Sequence, residues 1–255
     1  MAYRARMQPD QIALQLWTVR ELTAVDVSGT LKAVRAAGYG AVELARIPPE
    51  AYGALRGWLD DAELQPMGEH VIIEELRADA PGVADRLLAV GCPRVVVSWM
   101  PEADRLTHSD VRRFAAELAR FETVFADRGI SLGYHNHWFE FDPLDGTTAW
   151  DILLAELPAS IELEMDVYWT AFAGRDPVTE ITRAGERVRL LHMKDRSAGD
   201  EPHDLPAGEG ILDMPAIVAA GRALGVEWYI AEQDEPRVIL DDIASAYRYL
   251  SSIAT

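Results

Sequence analysis

Cysteine is nearly absent. Cys92 is the single one among 255 residues, so no intrachain disulfide can brace the fold, and the chain reads as cytoplasmic. Apolar runs are short, and none approaches the roughly 20 residues of a membrane span. The N-terminal stretch Met1-Ala2-Tyr3-Arg4-Ala5-Arg6 runs into Gln8-Pro9-Asp10 without the apolar segment of a signal peptide. Basic residues are outnumbered, 24 against 42 acidic, for a formal charge of -18. A surface that acidic repels phosphate backbones and anionic lipid, which argues against nucleic-acid and membrane partners. No Gly-x-Gly-x-x-Gly follows the first strand pattern, and neither Cys-x-x-Cys nor His-Glu-x-x-His occurs. No low-complexity tract or shift in composition divides the chain, so one domain over 1–255 is expected.

What is present is an alternation. Short apolar runs at 12–16, 40–45, 64–70, 94–98, 130–137, 160–166, 187–192 and 227–232 have strand length, and longer segments of helical period separate them. In the segment 109–128, Val111, Phe114, Ala115, Leu118, Phe121 and Phe125 form one stripe. Gly38, Gly91, Gly129 and Gly225 stand where helices end, and Asp176-Pro177 and Asp213-Met214-Pro215 where helices begin. Ser109 and Asp110 are the expected caps of the fourth helix. Eight strands alternating with helices imply parallel pairing, and the count favours closure into a (β/α)8 TIM barrel over an open doubly wound sheet.

Polar residues crowd at the C-terminal ends of these strands: Trp17, Glu43, His70, Ser98, His135, His137, Asp166, His192, Lys194 and Glu232. Strand side chains alternate faces, so where Ile161, Leu163 and Met165 turn to the helices, Glu162, Glu164 and Asp166 turn inward. In a barrel those ends form the mouth where catalytic groups gather. Carboxylates and imidazoles massed there repel one another or stay protonated unless a cation holds them, so one divalent metal ion is expected. Oxygen donors with one or two imidazoles suit Mn²⁺ best, and Mg²⁺, Co²⁺ or Zn²⁺ also fit. Trp17, Trp99, Trp138 and Trp169 stand at or beyond strand ends, where an indole can cover the apolar face of a sugar. Trp58, Trp150 and Trp228 read as packing residues, and His108 and His203 as surface ones.

The segments Tyr134-His135-Asn136-His137-Trp138-Phe139-Glu140-Phe141, Glu164-Met165-Asp166-Val167-Tyr168-Trp169 and Leu191-His192-Met193-Lys194-Asp195 resemble the sugar phosphate isomerase/epimerase group of the xylose isomerase-like TIM-barrel superfamily. Ala13-Leu14-Gln15-Leu16-Trp17-Thr18-Val19-Arg20, Gly208-Glu209-Gly210-Ile211-Leu212-Asp213 and Ala231-Glu232-Gln233-Asp234 extend the resemblance over essentially the whole chain. Members of that group hold one divalent metal through Glu, Asp, His and Glu from successive strands. The resemblance therefore implies Asp166, His192 and Glu232 as ligands. It implies Glu140 as the fourth, because His135 stands where relatives carry the glutamate of strand five. Direct ligation by His135 or His137 is the alternative. It further implies catalytic work for Glu140, Glu232, Lys194 and His135, with Lys194 balancing charge. Substrate contacts are implied for Trp17, Glu43, His70, His137, Trp169 and Glu209, with Glu164 paired to a cation inside the barrel.

Such a site abstracts a proton next to a carbonyl and forms an enediolate. Returning the proton gives an isomerase or epimerase. Expelling a β-substituent gives a dehydratase or a keto-glycoside lyase. The expected substrate is a sugar or cyclitol, free rather than phosphorylated, because no basic cradle is evident. Two rival readings are a metal-dependent nuclease of the same superfamily, disfavoured by the charge of -18, and a non-catalytic barrel that binds a sugar or a partner. The oligomeric state is open, a homo-oligomer included.

Overall fold

The computed structural model describes residues 7–254; the N-terminal stretch 1–6, read above for a leader, lies outside the described residues. Eight parallel strands close into a barrel: β1 (Ile12–Gln15), β2 (Ala41–Leu44), β3 (Gln65–Val71), β4 (Arg94–Val97), β5 (Ser131–His135), β6 (Glu162–Asp166), β7 (Val188–Met193) and β8 (Trp228–Ala231). Each strand pairs with its sequence neighbours, and β1 joins β8 with Ala13 opposite Ile230. All eight expected strands are present, each end within two residues of the expected bound.

Eight helices ring the barrel: α1 (Val27–Ala36), α2 (Tyr52–Asp61), α3 (Ile73–Val90), α4 (His108–Ala126), α5 (Ala149–Glu156), α6 (Pro177–Ala184), α7 (Met214–Leu224) and α8 (Ile239–Ile253). Their starts follow capping chemistry. Asp176 and Asp213 accept from the backbone N–H groups of Thr179 and Ala216, as their placement ahead of proline predicts. At α4 the expected caps are displaced: Thr107 is the N-cap and its hydroxyl accepts from Asp110 N. At the other ends, Gly91 and Gly225 take left-handed conformations (φ 72° and 84°) that close α3 and α7. Helix α3 kinks at Asp79, whose carboxylate recaps the chain at Gly82 N beside Pro81. Among the described residues, no helix is long and apolar enough to cross a membrane.

Three layers fill the barrel. At the N-terminal end, buried Arg94 reaches the partly exposed Glu162 (2.5 Å) and Glu227 (2.7 Å) and the Met67 carbonyl (3.1 Å), an ionic plug. Above it Ala13, Ala41, Met67, Val96, Leu190 and Ile230 make an apolar layer against which Trp228 packs. Above that Gln15, Glu43, His70, His135, Glu164 and His192 meet in a polar layer. Two register shifts, between Val42 and Glu43 against β3 and between Leu163 and Glu164 against β7, re-aim the upper side chains. At the first, a Cβ on Gly68 would stand 3.1 Å from Glu43 Oε1, so the glycine makes room for that carboxylate. The larger core lies between strands and helices, where Trp150, Phe114, Tyr134 and Tyr229 are buried. The predicted stripe of α4 faces it, with Phe121 only half-buried.

Candidate active site

The strand ends converge on a cavity of about 930 Å³. Its lining includes Trp17, His70, Trp99, His135, His137, Trp138, Trp169, Lys194 and Glu232. Beneath it lie Glu43, Glu164, Asp166 and His192, all completely buried. Three strands therefore place four acids and bases within one desolvated volume.

His192 is central. Its Nδ1 lies 2.9 Å from Glu232 Oε2, and its Nε2 lies 2.9 Å from Glu43 Oε2 and 3.1 Å from Glu164 Oε2. His70 Nε2 stands 2.5 Å from Glu164 Oε2 and 3.3 Å from Glu43 Oε2, and His135 Nδ1 is 3.0 Å from Glu164 Oε2. Three imidazoles thus crowd one carboxylate oxygen, while Glu164 Oε1 and Glu43 Oε1 have no hydrogen-bond partner. Gln15 Nε2 donates to Glu43 Oε2 at 2.7 Å. On the β7–β8 side, Lys194 Nζ lies 2.7 Å from Asp234, 2.8 Å from Glu232 and 3.2 Å from Asp166. Asp166 Oδ1 accepts from Trp169 N, while Oδ2 has no hydrogen-bond partner.

These neighbours divide the protonation states. Burial opposes charge on His192, but Glu164 and Glu232 outweigh it and hold the ring's pKa well above its ordinary value. The same contest holds Lys194 well above its usual value through Asp166, Asp234 and Glu232. Glu164 and Glu232 are held well below the carboxylate range despite burial, by His192 and His70 for the first and by Lys194 and His192 for the second. Burial, with the charge of Glu164 beside it, pushes Glu43 up to about 7. Burial pushes Asp166 up to about 6, against the pull of Lys194. Burial also lowers His135 to about 3, so its ring is neutral.

Two groups offer ligand atoms within 4.8 Å of one another: Asp166, His192 and Glu232, and, deeper, His70, His135, Glu164 and His192. The structure does not bring Glu140 to either. Its carboxylate accepts from Tyr134 Oη (2.5 Å) and His137 N (2.8 Å), and Tyr134 faces Phe114 of α4, behind β5. The glutamate is buried and its pKa is pushed up to about 7 by that burial. The reason is the short helical turn Phe139–Phe141, which folds Glu140 back under the strand instead of over the mouth. Glu209 is also elsewhere: it pairs with Arg237 (2.6 Å) and Ser245 (2.7 Å) and does not line the cavity. Its loop is tied down by Asp195, which accepts from the backbone of Gly208, Gly210 and Leu212. Trp17 lies in the cavity wall with the guanidinium groups of Arg20 and Arg46 4.5 Å and 5.3 Å from its ring. His137 and Trp169 stand together opposite, 5.7 Å apart. Sequence reasoning missed Asp234 as a partner of Lys194, and it missed Tyr52, Glu69 and Arg86, which also line the cavity.

A family model described as xylose isomerase-like TIM barrel matches residues 31–250. The chain belongs to that family. Its curated relatives include the rhizopine catabolism protein MocC of Rhizobium meliloti, 24% identical over 243 residues, covering 80% of this chain and 74% of that protein. Among solved structures, a sugar phosphate isomerase/epimerase of Parabacteroides distasonis superposes with a TM-score of 0.84 at 24% identity, covering 96% of this chain and 99% of that one. The IolI protein, solved with a bound zinc atom, superposes with a TM-score of 0.74 at 14% identity over 96% of this chain and 98% of its own. These likenesses establish the barrel; the chemistry rests on the site itself.

Proposed function

We propose that this chain is a divalent-metal-dependent enzyme that moves a proton next to the carbonyl of a free sugar or cyclitol, as an isomerase or epimerase. One observation carries the reading: Asp166, His192 and Glu232 converge from three adjacent strands beside a cavity, buried, with Asp166 Oδ2 making no hydrogen bond and facing Lys194 Nζ at 3.2 Å. Two carboxylates and one imidazole fit a small divalent ion, Mn²⁺ first, with Mg²⁺, Co²⁺ and Zn²⁺ as alternatives. A divalent ion held there supplies Lewis acidity to a carbonyl and its neighbouring hydroxyl and acidifies the adjacent C–H.

The protein's own groups supply the rest. Glu232 is held ionised and lines the cavity, so it can take the proton. Lys194, its ammonium 2.8 Å away, stabilises charge developing on a substrate oxygen. Neutral His135 can accept a hydrogen bond from a substrate hydroxyl on the β5 side. Glu140, engaged behind β5, takes no part. Trp17, Trp99 and Trp169 cover apolar C–H faces and exclude water.

Elimination, as by a dehydratase or keto-glycoside lyase, is favoured by a different observation. His70 lines the cavity, and Glu43 and Glu164 raise its pKa against burial, which gives it a proton for a departing oxygen. Metal content by mass spectrometry, with deuterium uptake into keto-sugars, tests both readings. About one ion per chain with C–H exchange supports the proposal, and product analysis separates isomerisation from elimination. No ion after incubation with Mn²⁺ and no exchange would replace it with a non-catalytic sugar-binding barrel.

A further inference from the structure

The acids and bases of the proposed reaction belong to β5 through β8, yet the cavity extends across the barrel to the far side of the ring, where β3 lies opposite β7. A volume of about 930 Å³ is near the top of the range of roughly 300–1,000 Å³ that buries drug-sized ligands, well beyond the needs of one sugar ring.

The far wall is polar and built from three elements. Glu69 of β3 is 1% exposed. Its Oε1 accepts from Tyr52 Oη of α2 at 2.7 Å and from Arg86 of α3 at 2.5 Å. Arg86 also reaches Glu75 at 3.2 Å and lies 4.9 Å over the Tyr52 ring, with a quarter of its side chain still exposed. Both ends of this cluster are incompletely satisfied: Glu69 Oε2 lacks a donor and Arg86 Nε lacks an acceptor. Those two atoms are sealed, and the wall meets the cavity through the exposed quarter of Arg86 beside Tyr52 and Glu75, where a hydroxyl, which both donates and accepts, suits the mixed charges. A phosphate or carboxylate would give Arg86 an acceptor but offer Glu69 only repulsion. Ile47 and Ile72, on the rim of the same wall, present apolar surface to a ring face.

We propose that Tyr52, Glu69 and Arg86 form a second subsite that binds a neutral polyhydroxylated unit, so that the substrate is a two-unit glycoside with its reacting ring on the β5–β8 side. The proposal rests on the sugar reading of the cavity and adds the size and charge of the substrate. Binding energy gathered at this remote unit positions the reacting ring without touching the reacting carbon.

Calorimetric titration of the intact protein tests it, using methyl glucoside against maltose, cellobiose, sucrose and trehalose. At least one disaccharide should bind about tenfold or more tightly than methyl glucoside, the worth of one or two hydrogen bonds to charged groups. In Arg86→Met and in the milder Tyr52→Phe that gap should shrink, to within about twofold for the first. Thermal melting of both variants controls for folding. Equal affinity for all five sugars in the wild type, or no measurable binding of any disaccharide, overturns the proposal, as does a gap that persists in Arg86→Met. The outcome is independent of the catalytic reading: a preference for disaccharide without metal or exchange refutes the reaction, and metal with exchange but no preference refutes the subsite.

Discussion

The two ring nitrogens of His192 face opposite carboxylates, Nδ1 at 2.9 Å from Glu232 and Nε2 at 2.9 Å from Glu43. A neutral imidazole has one lone pair, so if Nδ1 is given to a metal beside Asp166 and Glu232, Nε2–H must donate to Glu43 or Glu164. The buried acids then fix the tautomer from below. In His192→Ala, three buried carboxylates lose their common partner, and stability should fall by about 3–5 kcal/mol as read by urea denaturation. The variant should also lose bound Mn²⁺, read by mass spectrometry. Glu232→Gln keeps the volume and should lose metal and activity with a smaller fall in stability. Unchanged metal content in both variants would remove Asp166, His192 and Glu232 as the site.

Lys194 neutralises what the acids around it would otherwise repel. With its Nζ within 3.2 Å of Asp166, Glu232 and Asp234, Lys194→Met should destabilise the metal-free protein by about 3–5 kcal/mol. Added Mn²⁺ should then raise its Tm more than it raises that of the wild type, because a cation replaces the missing charge. A shift equal to the wild type's would place the ion away from these carboxylates.

Glu140 makes a pH prediction. Its pKa in the fold is raised by burial to about 7, above its ordinary value of 4.5. Its contribution to stability is therefore complete below about pH 4.5 and is lost as pH rises through about 7. Glu140→Gln has no charge to bury, so its Tm relative to wild type should climb steadily from pH 5 to pH 8. A difference that stays flat across that interval would show that Glu140 does not titrate there.

Arg94 stands at the opposite end of the barrel, bound to Glu162 and Glu227. Arg94→Met leaves Glu162 without it while Glu227 keeps Arg189, and with both acids partly exposed it should cost about 1–3 kcal/mol in chemical denaturation. Metal content should stay at the wild-type level, since the apolar layer of Ala13, Met67, Val96 and Ile230 separates the plug from the mouth. Loss of metal in a folded Arg94→Met protein would show the two ends to be coupled.

Much of this was legible in residue order. Period-two strands and period-3.6 helices require no knowledge of what they touch, so the eight strands, the α4 stripe and the capping aspartates could be read directly. The inward turn of Glu43, Glu164 and Asp166 followed from alternation alone. The four aromatic residues and His70, His135 and His137 were legible as mouth residues because strand ends define the mouth.

Glu140 and Glu209 were not legible, for a physical reason. Both lie in loops, where a side chain's direction depends on a few backbone dihedrals that no periodic pattern constrains. One short helical turn after β5 decided that Glu140 meets Tyr134 Oη instead of the cavity, and the Asp195 anchor set the loop that carries Glu209 toward Arg237. The Tyr52–Glu69–Arg86 wall was hidden differently, because its members come from a strand and two helices and meet only when the barrel closes. Local sequence determined the elements and the faces their side chains take, since both depend on backbone geometry over a few residues. Tertiary structure alone decided which charges share a buried volume, and through that, which of them are protonated.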